Sequence, residues 1–227
     1  MRYLLLFLSV LPLLAYDANF QEGKNIYNTT CISCHGENGE TNAEIHLIVK
    51  PRRLQETILS QEQSFKVIKY GAHHWGAHAD IMPAFKYVYE DKQIHNVALY
   101  IATTFNSARD KKVKKLLEDS FSAEESEISL DLGKKIWTKK CSKCHGITGN
   151  GESDYVEKSK ENDEFIYPYN LTRTLLDEDQ IFLYAKHGGK FWGTDKSDMP
   201  AWKNKYDDIT LRSVARFVKT KIVKTQD

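Results

Sequence analysis

Two segments of the chain carry apolar residues at the three- and four-residue spacing of an amphipathic helix. These residues are Ile94, Val97, Ala98 and Ile101 in the first segment, and Leu211, Val214, Ala215 and Val218 in the second. Apolar side chains with this period share one face of a helix, so each segment is predicted to be a helix with one buried face. No segment alternates between apolar and polar residues with a period of two, and the pattern therefore predicts an all-α fold with almost no sheet.

Each of these two predicted helices closes one copy of an internal repeat. Each copy begins with a glycine-lysine pair that precedes an isoleucine and an aromatic residue, and a Cys-x-x-Cys-His pentapeptide follows. The first copy has Gly23-Lys24-x-Ile26-Tyr27 and Cys31-Ile32-Ser33-Cys34-His35, and the second has Gly133-Lys134-x-Ile136-Trp137 and Cys141-Ser142-Lys143-Cys144-His145. We expect each copy to start with an amphipathic helix that leads into a turn carrying the pentapeptide.

Three further motifs recur later in each copy, where the offset between the copies grows from 110 residues (141 − 31) to 117 (168 − 51). They are Pro51-x-x-Leu54, Gly71-x-x-x-Trp75-Gly76 and Met82-Pro83-Ala84-Phe85 in the first copy, and Pro168-x-x-Leu171, Gly188-x-x-x-Trp192-Gly193 and Met199-Pro200-Ala201-Trp202 in the second. The seven additional residues of the second copy (117 − 110) fall in the charged stretch 152–164, which is predicted to be a surface loop.

The spacing of the pentapeptide is that of a c-type haem attachment site. On a helical turn, thiols at i and i+3 can bond to the two vinyl groups of the porphyrin, while the imidazole that follows binds the iron. The alternatives are disulfides, a zinc site split between the copies and a thioredoxin-like redox site, but 110 residues separate the copies and no βαβ context is visible. We therefore expect two covalently bound haem c groups, at Cys31, Cys34 and His35 and at Cys141, Cys144 and His145.

Met82 and Met199 are the predicted sixth ligands of the two irons. Apart from the initiator methionine, the chain has one methionine for each pentapeptide, in a matched Met-Pro-Ala-aromatic segment. A methionine is more often an apolar core residue, but this one-to-one count favours ligation. His73, His74 and His78 precede Met82 in the first copy only, and they leave open an exchange of ligand at the first haem.

Several other side chains are candidates for the surroundings of the haems. The candidate wall residues are Tyr27, Trp75 and Phe85 in the first copy and Trp137, Trp192 and Trp202 in the second, although ordinary core aromatics would look the same. The carbonyls of Pro51 and Pro168 could accept a hydrogen bond from Nδ1 of the proximal histidines. Arg52 and Arg53 could pair with a haem propionate, but the second copy lacks both arginines.

The repeat divides the chain into two domains joined by a charged linker. The predicted bounds are 1–15 for an export signal, 16–106 for the N-terminal domain, 107–129 for the linker and 130–227 for the C-terminal domain. The linker is rich in lysine and glutamate, and its apolar residues Val113, Leu116, Leu117 and Phe121 indicate a short helix along one domain. A flexible solvated tether is the alternative.

The N-terminal segment has the features of an export signal. Arg2 precedes an apolar run of 11 residues from Leu4 to Leu14, and Ala15 offers a small residue for cleavage. A membrane-spanning helix needs about 20 residues, so a cleaved signal is favoured over an uncleaved anchor. Export suits the chemistry, because c-type haem is attached on the outer side of a bacterial cytoplasmic membrane. The formal net charge is +1, which gives no general attraction to nucleic acid or to an anionic membrane.

Each copy resembles a class I cytochrome c domain in its N-terminal helix, Cys-x-x-Cys-His-Gly, Pro-x-x-Leu loop, Met-Pro-Ala-aromatic loop and closing helix. The tandem, roughly from Asn19 to Thr220, is similar to periplasmic dihaem cytochromes c of the cytochrome c4 type, apart from the inserted stretch and the charged linker. The resemblance implies two tandem all-α domains, each wrapped around one covalently attached haem. It also implies electron transfer between periplasmic or membrane-bound redox partners, such as a dehydrogenase and a terminal oxidase, with no nucleic acid partner and no small-molecule substrate.

Three classes of function fit these features, and an electron carrier is the leading one. An iron that holds both a histidine and a methionine has no open position for a substrate. A dihaem enzyme or a haem sensor would need a labile axial site, and an enzyme would need an acid or base beside it. His73, His74 and His78, near the first haem, are the one stretch that suggests such a site. We expect an electron carrier, or the electron-carrying subunit of an oxidoreductase.

Overall fold

The computed structural model describes residues 19–41, 50–77, 82–120, 125–161, 168–194 and 199–224. All regular secondary structure in these ranges is helical, which confirms the predicted all-α class. None of the helices in these ranges is long and apolar enough to cross a membrane. The predicted export signal, His78 and Phe121 lie outside the described residues.

The two halves of the chain contain helices in the same order, with two additions in the second half, one helix and a final π-helical turn. The first half has α1 (Phe20–Ile26), a π-helical turn (Tyr27–Cys31), α2 (Ile32–His35), α3 (Gln61–Tyr70) and α4 (Asp91–Thr104). Helix α5 (Arg109–Glu118) lies between the halves. The second half has α6 (Leu130–Ile136), a π-helical turn (Trp137–Cys141), α7 (Ser142–His145), α8 (Asp154–Glu161), α9 (Glu178–His187), α10 (Asp208–Phe217) and a further π-helical turn (Val218–Ile222). Short 3-10 turns connect them at Leu54–Glu56, His73–Trp75, Glu125–Glu127, Leu171–Arg173 and Lys190–Trp192.

A glycine allows the first and last long helices of each half to cross in contact. A Cβ atom on Gly23 of α1 would lie 2.0 Å from the carbonyl oxygen of Asn96 on α4. A Cβ atom on Gly133 of α6 would lie 2.1 Å from the carbonyl oxygen of Ser213 on α10. Folded interiors are close-packed, so any side chain at these positions would force the two helices apart. This contact explains the glycine that opens each copy of the repeat.

The apolar faces predicted for α4 and α10 lie in two hydrophobic cores. The four predicted residues of α4 are at most 7 % exposed, and those of α10 are at most 4 % exposed. The α4 face packs in one cluster with Tyr27 and Phe65, and the α10 face packs in another with Trp137, Phe182 and Trp192. Each half therefore has a core built around its closing helix, and Ile58 of the first half is buried in the core of the second.

Helix α5 lies in the predicted linker and packs on the second half. Val113 is buried in the core cluster of the second half, and Leu116 and Leu117 pack against that cluster. The ammonium of Lys112 lies 4.3 Å from the centroid of the Phe191 ring, which is a cation–π contact. In the part of the linker that the structure describes, the chain is thus a docked helix and not a flexible tether.

Reciprocal backbone hydrogen bonds join the two halves. The Arg53 amide donates to the Gly193 carbonyl at 3.0 Å, and the Asn170 amide donates to the Gly76 carbonyl at 2.8 Å. These positions correspond in the repeat, because 170 − 53 and 193 − 76 both equal 117. Since each half makes the same contact with the other, an approximate two-fold axis relates the halves.

Two glutamines pair across this interface. The side-chain amides of Gln63 and Gln180 each donate to the other's Oε1 at 2.7 Å. Gln63 also donates to the Leu175 carbonyl and Gln180 to the Ile58 carbonyl, both at 3.1 Å. Each glutamine completes the capping box at the start of its own helix, α3 or α9. One side chain in each half thus both starts a helix and fixes the packing of the halves.

The stretch 152–164 was predicted to be a surface loop, but most of it forms α8. Val156 and Ser159 of this helix are 4 % and 5 % exposed, and α8 packs against α7. The hydroxyl of Ser153 reaches the Cys144 carbonyl at 3.4 Å. The prediction was wrong because the many charged residues outnumber the single apolar residue, Val156, that anchors the helix. Residues 162–164 lie outside the described ranges.

Candidate haem sites

Each pentapeptide lies in a turn that a buried aromatic residue holds in place. The pentapeptide follows a π-helical turn and ends at a glycine with positive φ, which is 73° at Gly36 and 75° at Gly146. The Tyr27 hydroxyl donates to the Gly36 carbonyl at 2.7 Å, and Trp137 Nε1 donates to the Ile147 carbonyl at 3.1 Å. The two aromatic residues, predicted as haem walls, therefore also fix the end of each turn.

The four cysteines are free thiols that are partly buried. Burial raises the pKa of the Cys31 and Cys141 thiols to about 12, and the second cysteine of each pair adds to the effect. Zinc binds the thiolate, and burial of these thiols opposes the formation of the thiolate. In the described ranges, no group of three or more histidine, cysteine, aspartate or glutamate residues is placed to hold a metal ion. The cysteine pairs thus fit thioether attachment better than a shared zinc site.

The histidines of the two pentapeptides, His35 and His145, are in surroundings that favour the neutral imidazole. Burial lowers the pKa of both His35 and His145, and a metal ligand must be the neutral imidazole. His145 Nδ1 lies 3.2 Å from the carbonyl oxygen of Tyr169, so Nε2 is the ring nitrogen with which His145 could bind an iron. In the first half the Arg52 carbonyl occupies the matching place and partly opposes the lowering of the His35 pKa. This contact is looser, since His35 Nδ1 forms no hydrogen bond within the described part of the chain.

The carbonyl that faces each proximal histidine belongs to the residue after the predicted proline. The Pro51 carbonyl instead accepts a hydrogen bond from the Thr41 hydroxyl at 2.9 Å. In the second half Gly151 occupies the position of Thr41, with the same φ of 85°. A Cβ atom on Gly151 would lie 2.9 Å from the Pro168 carbonyl oxygen. The turn after each pentapeptide thus lies against the proline carbonyl, and the next carbonyl turns toward the histidine.

The methionine loops are fixed against the helices that precede them. The Met82 carbonyl accepts a backbone hydrogen bond at 3.0 Å, and the Met199 carbonyl accepts one at 3.1 Å. Gly71 and Gly188 have φ of 81° and 77°, and a Cβ atom on either would lie 2.9 or 2.8 Å from the carbonyl oxygen of its methionine. The first glycine of each Gly-x-x-x-Trp-Gly motif therefore lets the methionine loop approach α3 or α9.

The tryptophan of the same motif anchors the loop from the other side. Trp75 Nε1 donates to the Lys66 carbonyl on α3 at 3.1 Å, and Trp192 Nε1 donates to the Leu183 carbonyl on α9 at 3.2 Å. Trp192 is 1 % exposed. These two predicted wall residues thus tie the 3-10 turn before each methionine loop to a core helix.

Around each core, one set of partly buried residues includes a cysteine, the leucine of the Pro-x-x-Leu loop and the methionine. These sets contain Cys31, Leu54, Met82 and Phe85 in the first half, and Cys141, Leu171, Met199 and Trp202 in the second. A haem ring is a large, flat and mostly apolar group. An apolar wall that carries the first thiol of a pentapeptide and the thioether of a methionine is therefore a chemically suitable place for one face of it.

A buried donor in the second half gives a further test of this fit. Trp202 Nε1 is buried and has no hydrogen-bond partner in the described part of the chain. Such a donor costs about 1–3 kcal/mol and is rare in folded proteins. A haem carries two propionate carboxylates, and one of them would accept this hydrogen bond. The residues present therefore fit a haem.

The histidines before Met82 have contacts of their own. His73 Nδ1 lies 3.1 Å from the Ala77 carbonyl oxygen, and the His74 ring stacks on Tyr70 with centroids 5.1 Å apart. Both histidines are exposed. No described contact brings either ring to a cysteine or to the methionine of the first site.

Gln63 and Gln180 are the functional residues that sequence reasoning missed. Gln180 is 1 % exposed, whereas glutamine is usually a surface residue, so the residue type does not predict this burial. The repeat does mark the two glutamines, because they occupy equivalent positions at the offset of 117 residues (180 − 63). They hold the two candidate haem sites in a defined relation to each other.

Comparison with known proteins places both copies in one family. The family model described as "Cytochrome C oxidase, cbb3-type, subunit III" matches residues 18–101 and 129–218. A chain of the Kuenenia stuttgartiensis reducing HAO-like protein complex is similar in structure, with a TM-score of 0.47 and 21 % sequence identity, over 92 % of this chain and 98 % of that chain. No curated protein matches the sequence. Each stretch matched by the family model contains one pentapeptide and one methionine loop.

Proposed function

The chain belongs to the family of cytochrome c oxidase, cbb3-type, subunit III, and we propose that it is a dihaem c-type cytochrome that passes electrons between redox proteins. Cytochrome c domains hold haem c covalently and use it for electron transfer. The family matches two separate stretches of this chain, which supports one haem in each half.

We assign four equivalent residues to each haem, two that attach the porphyrin and two that bind the iron. Cys31 and Cys34 or Cys141 and Cys144 form the thioethers, His35 or His145 is the proximal ligand, and Met82 or Met199 is the second axial ligand. One observation carries the assignment: in each half, the first cysteine and the methionine pack against the same apolar core. The neutral state of the proximal imidazoles supports it as well.

The bound haem supplies an iron that alternates between Fe(II) and Fe(III) and so carries one electron. The protein sets how readily it does so. A methionine thioether favours ferrous iron and raises the reduction potential, while a carbonyl on Nδ1 fixes the ring of the proximal histidine. The apolar residues beside Cys31 and Cys141 disfavour the additional charge of ferric iron. A histidine and a methionine that held each iron would leave no place on it for a small-molecule substrate.

We further propose that the protein is exported and works in the periplasm. It would take electrons from a membrane-bound or periplasmic donor, such as a dehydrogenase, and pass them to an acceptor such as a terminal oxidase. The positive, apolar and small residues of segment 1–15 support export. Export also brings the chain to the side of the membrane on which c-type haem is attached.

Intact mass spectrometry of the purified periplasmic protein tests this proposal. We expect two haem additions to the mass of the mature chain. Cys31→Ala with Cys34→Ala should remove one addition, and Cys141→Ala with Cys144→Ala should remove the other. A wild-type mass without two haem additions would contradict the proposed function.

An enzyme or sensor with a labile axial site at the first haem is the competing function. The ferric absorption spectrum separates it from the carrier. A carrier should show a methionine–iron charge-transfer band equivalent to two haems, and a high-spin signal from one haem would favour the enzyme or sensor. The described contacts of His73 and His74 give no support to the second reading.

A further inference from the structure

Arg52 and Tyr169 occupy equivalent positions of the repeat (169 − 52 = 117) and touch each other across the interface. Arg52 Nη2 lies 3.5 Å from the Tyr169 hydroxyl oxygen, and the guanidinium carbon lies 5.8 Å from the centroid of the Tyr169 ring. Two equivalent residues contact each other only if they lie close to the axis that relates them. The Arg52–Tyr169 pair therefore lies near the centre of the interface between the halves.

The backbones of the same two residues reach the two proximal histidines. The Tyr169 carbonyl oxygen lies 3.2 Å from His145 Nδ1, and the Arg52 carbonyl faces His35. One chain of contacts thus runs from His35 through Arg52 and Tyr169 to His145. A side chain of the first half is thereby connected to the proximal ligand of the second.

The guanidinium of Arg52 has only neutral partners among the described residues. Besides Tyr169, it donates through Nη1 to the Tyr184 hydroxyl, and its carbon lies 5.4 Å from the centroid of the Tyr184 ring. Arginine stays charged at every accessible pH. No anionic side chain among the described residues contacts this cation between the halves, so its field reaches both candidate haem sites.

The asymmetry of the pair has a physical reason. If both positions held arginine, two like charges would meet near the axis and repel each other. A tyrosine instead offers the guanidinium a hydroxyl acceptor and an aromatic face. The arrangement places one positive charge, and not two, between the two sites.

We propose that Arg52 is a positioning residue shared by both haem sites. Its side chain holds Tyr169, whose carbonyl oxygen orients His145, while its own carbonyl faces His35 without a hydrogen bond to Nδ1. Its charge raises the reduction potential of both haems, since a nearby cation disfavours the additional positive charge of ferric iron. The inference rests on the proposed dihaem function, and it adds that the first half sets part of the potential of the second haem.

Replacing Arg52 by methionine should therefore lower the potential of the second haem, although the substitution lies in the first half. Methionine keeps an unbranched apolar stem but removes the charge and both tyrosine contacts. We expect a change of about tenfold in the ratio of ferric to ferrous iron at a fixed potential, which is about 59 mV for one electron.

The second haem can be observed alone in the full-length protein. Cys31→Ala with Cys34→Ala prevents covalent attachment in the first half, and spectroelectrochemical titration with and without Arg52→Met then gives the shift directly. In the intact dihaem protein the same comparison is made on two redox waves, with Met199→His identifying the wave of the second haem. This second measurement decides the question if the cysteine variant does not fold.

Two further variants test the proposal. Arg53→Met tests whether loss of any nearby arginine has the same effect, and Arg52→Lys separates the charge of Arg52 from its contacts. Arg53→Met is the matched control, because the Arg53 guanidinium is paired with Glu56 at 2.6 Å in its own half. In Arg53→Met, the ratio of ferric to ferrous iron in the second haem, measured at a fixed potential, should change less than twofold. Arg52→Lys keeps the charge but cannot contact both tyrosines, so the potential should be largely retained. The electron paramagnetic resonance g values of the second ferric haem should then shift, since they report the orientation of its imidazole.

An unchanged second potential in Arg52→Met, with both haems present by mass, would overturn the proposal and leave the dihaem assignment intact. A shift confined to the first haem would overturn it too, because that is the effect of a purely local contact. An equal shift in Arg53→Met would likewise remove the special role of Arg52. Absence of the haem masses in the wild type would instead contradict the proposed function.

Discussion

Around the Cys-x-x-Cys-His turn, the second half carries five lysines where the first half carries one. Residues 130–145 contain Lys134, Lys135, Lys139, Lys140 and Lys143. Asp131 is the one carboxylate in that stretch, whereas residues 20–35 hold one lysine and one glutamate. Four of the five lysines are exposed, and none forms an ion pair with another described residue. We call these five residues the lysine cluster.

The interiors of the two halves, by contrast, are matched position by position. The helix-crossing glycines, the paired glutamines and the tryptophans that anchor the methionine loops recur with nearly the same distances. Under the proposed function, interior positions serve the same chemical group, a haem c, in each half. Surface charge instead governs which molecule approaches and how fast. The comparison therefore shows two halves with matched interiors and different surface charge around the pentapeptide.

The largest expected effect comes from breaking the helix crossing in one half at a time. Gly23→Ala and Gly133→Ala would each place a Cβ atom 2.0 or 2.1 Å from a backbone carbonyl oxygen, where neither helix can yield without moving away. We expect each variant to lose about 3 kcal/mol or more of the free energy of unfolding. Denaturant unfolding followed by haem absorption measures this loss, with the exposed Lys24→Ala on α1 as the unchanged control.

The same experiment tests whether the reciprocal interface couples the halves. If it does, either glycine variant should shift the unfolding of both haem sites. Two separate transitions, with only the substituted half shifted, would show that the halves unfold independently and that the paired glutamines contribute little.

The next effect in size concerns the axial methionines. Met199→His should keep the second haem low-spin but lower its potential by on the order of 0.2 V, a fraction of the roughly 0.8 V range that axial ligands span. Imidazole stabilises ferric iron better than a thioether does. In a redox titration one wave should move while the other stays nearly fixed, and Met82→His should move the other wave. If Met199→His moved neither wave, Met199 would not be a ligand.

The parts of the fold nearest the haem sites could be predicted because their chemistry recurs. The helices α4 and α10 followed from apolar spacing, and their cores are where that spacing puts them. The pentapeptides and the Met-Pro-Ala segments each appear twice at fixed offsets, so chance matches were improbable. A residue type with one strong physical role, such as a glycine at a helix crossing, can be recognised when it recurs at equivalent positions of two copies.

The interface between the halves could not be predicted, for reasons that lie in the side chains. Glutamine is usually a surface residue, and the half-buried Gln63 meets the buried Gln180 only because the fold brings together residues that lie 117 positions apart. The carbonyls that face Nδ1 of the two histidines were predicted one residue too early, at the prolines. The turn that contains Thr41 or Gly151 lies against the proline carbonyl, and the sequence does not show this contact. Sequence patterns report local preferences, and these contacts are not local.

A smaller effect is expected from the lysine cluster. An anionic inorganic reductant should reduce the second haem faster than the first at low salt, and the difference should shrink as salt rises, because exposed charges are screened. Replacing Lys139, Lys140 and Lys143 by glutamate should slow reduction of the second haem about tenfold at low ionic strength. Stopped-flow absorption with a cationic reductant is the matched control, and its rate should change in the opposite sense. Equal rates at the two haems in the wild type would contradict a functional difference between the surfaces.

The smallest effect concerns a stacked aromatic pair in which the histidine is the second residue in the first half and the first residue in the second half. Tyr70 stacks on His74 in the first half, and His187 stacks on Phe191 in the second with ring centroids 4.5 Å apart. Position 187 corresponds to position 70 (187 − 70 = 117). Burial lowers the pKa of His187 to about 4. The charged groups that face His187 are Lys203, Lys186, Asp208 and Lys112.

The low pKa of His187 predicts a loss of stability in acid that the first half does not share at this position. An unfolded histidine titrates near pH 6.5, so between about pH 6.5 and pH 4 the unfolded chain binds a proton that the native protein does not. The native state therefore loses stability as the pH falls through that window. His187→Tyr, which copies the residue of the first half, should remove on the order of 1 kcal/mol of this loss after allowance for solvent screening. Urea unfolding at pH 7 and pH 4.5 measures it, with the exposed His73→Ala as control, and an equal loss in the wild type and His187→Tyr would show that another group carries the acid sensitivity.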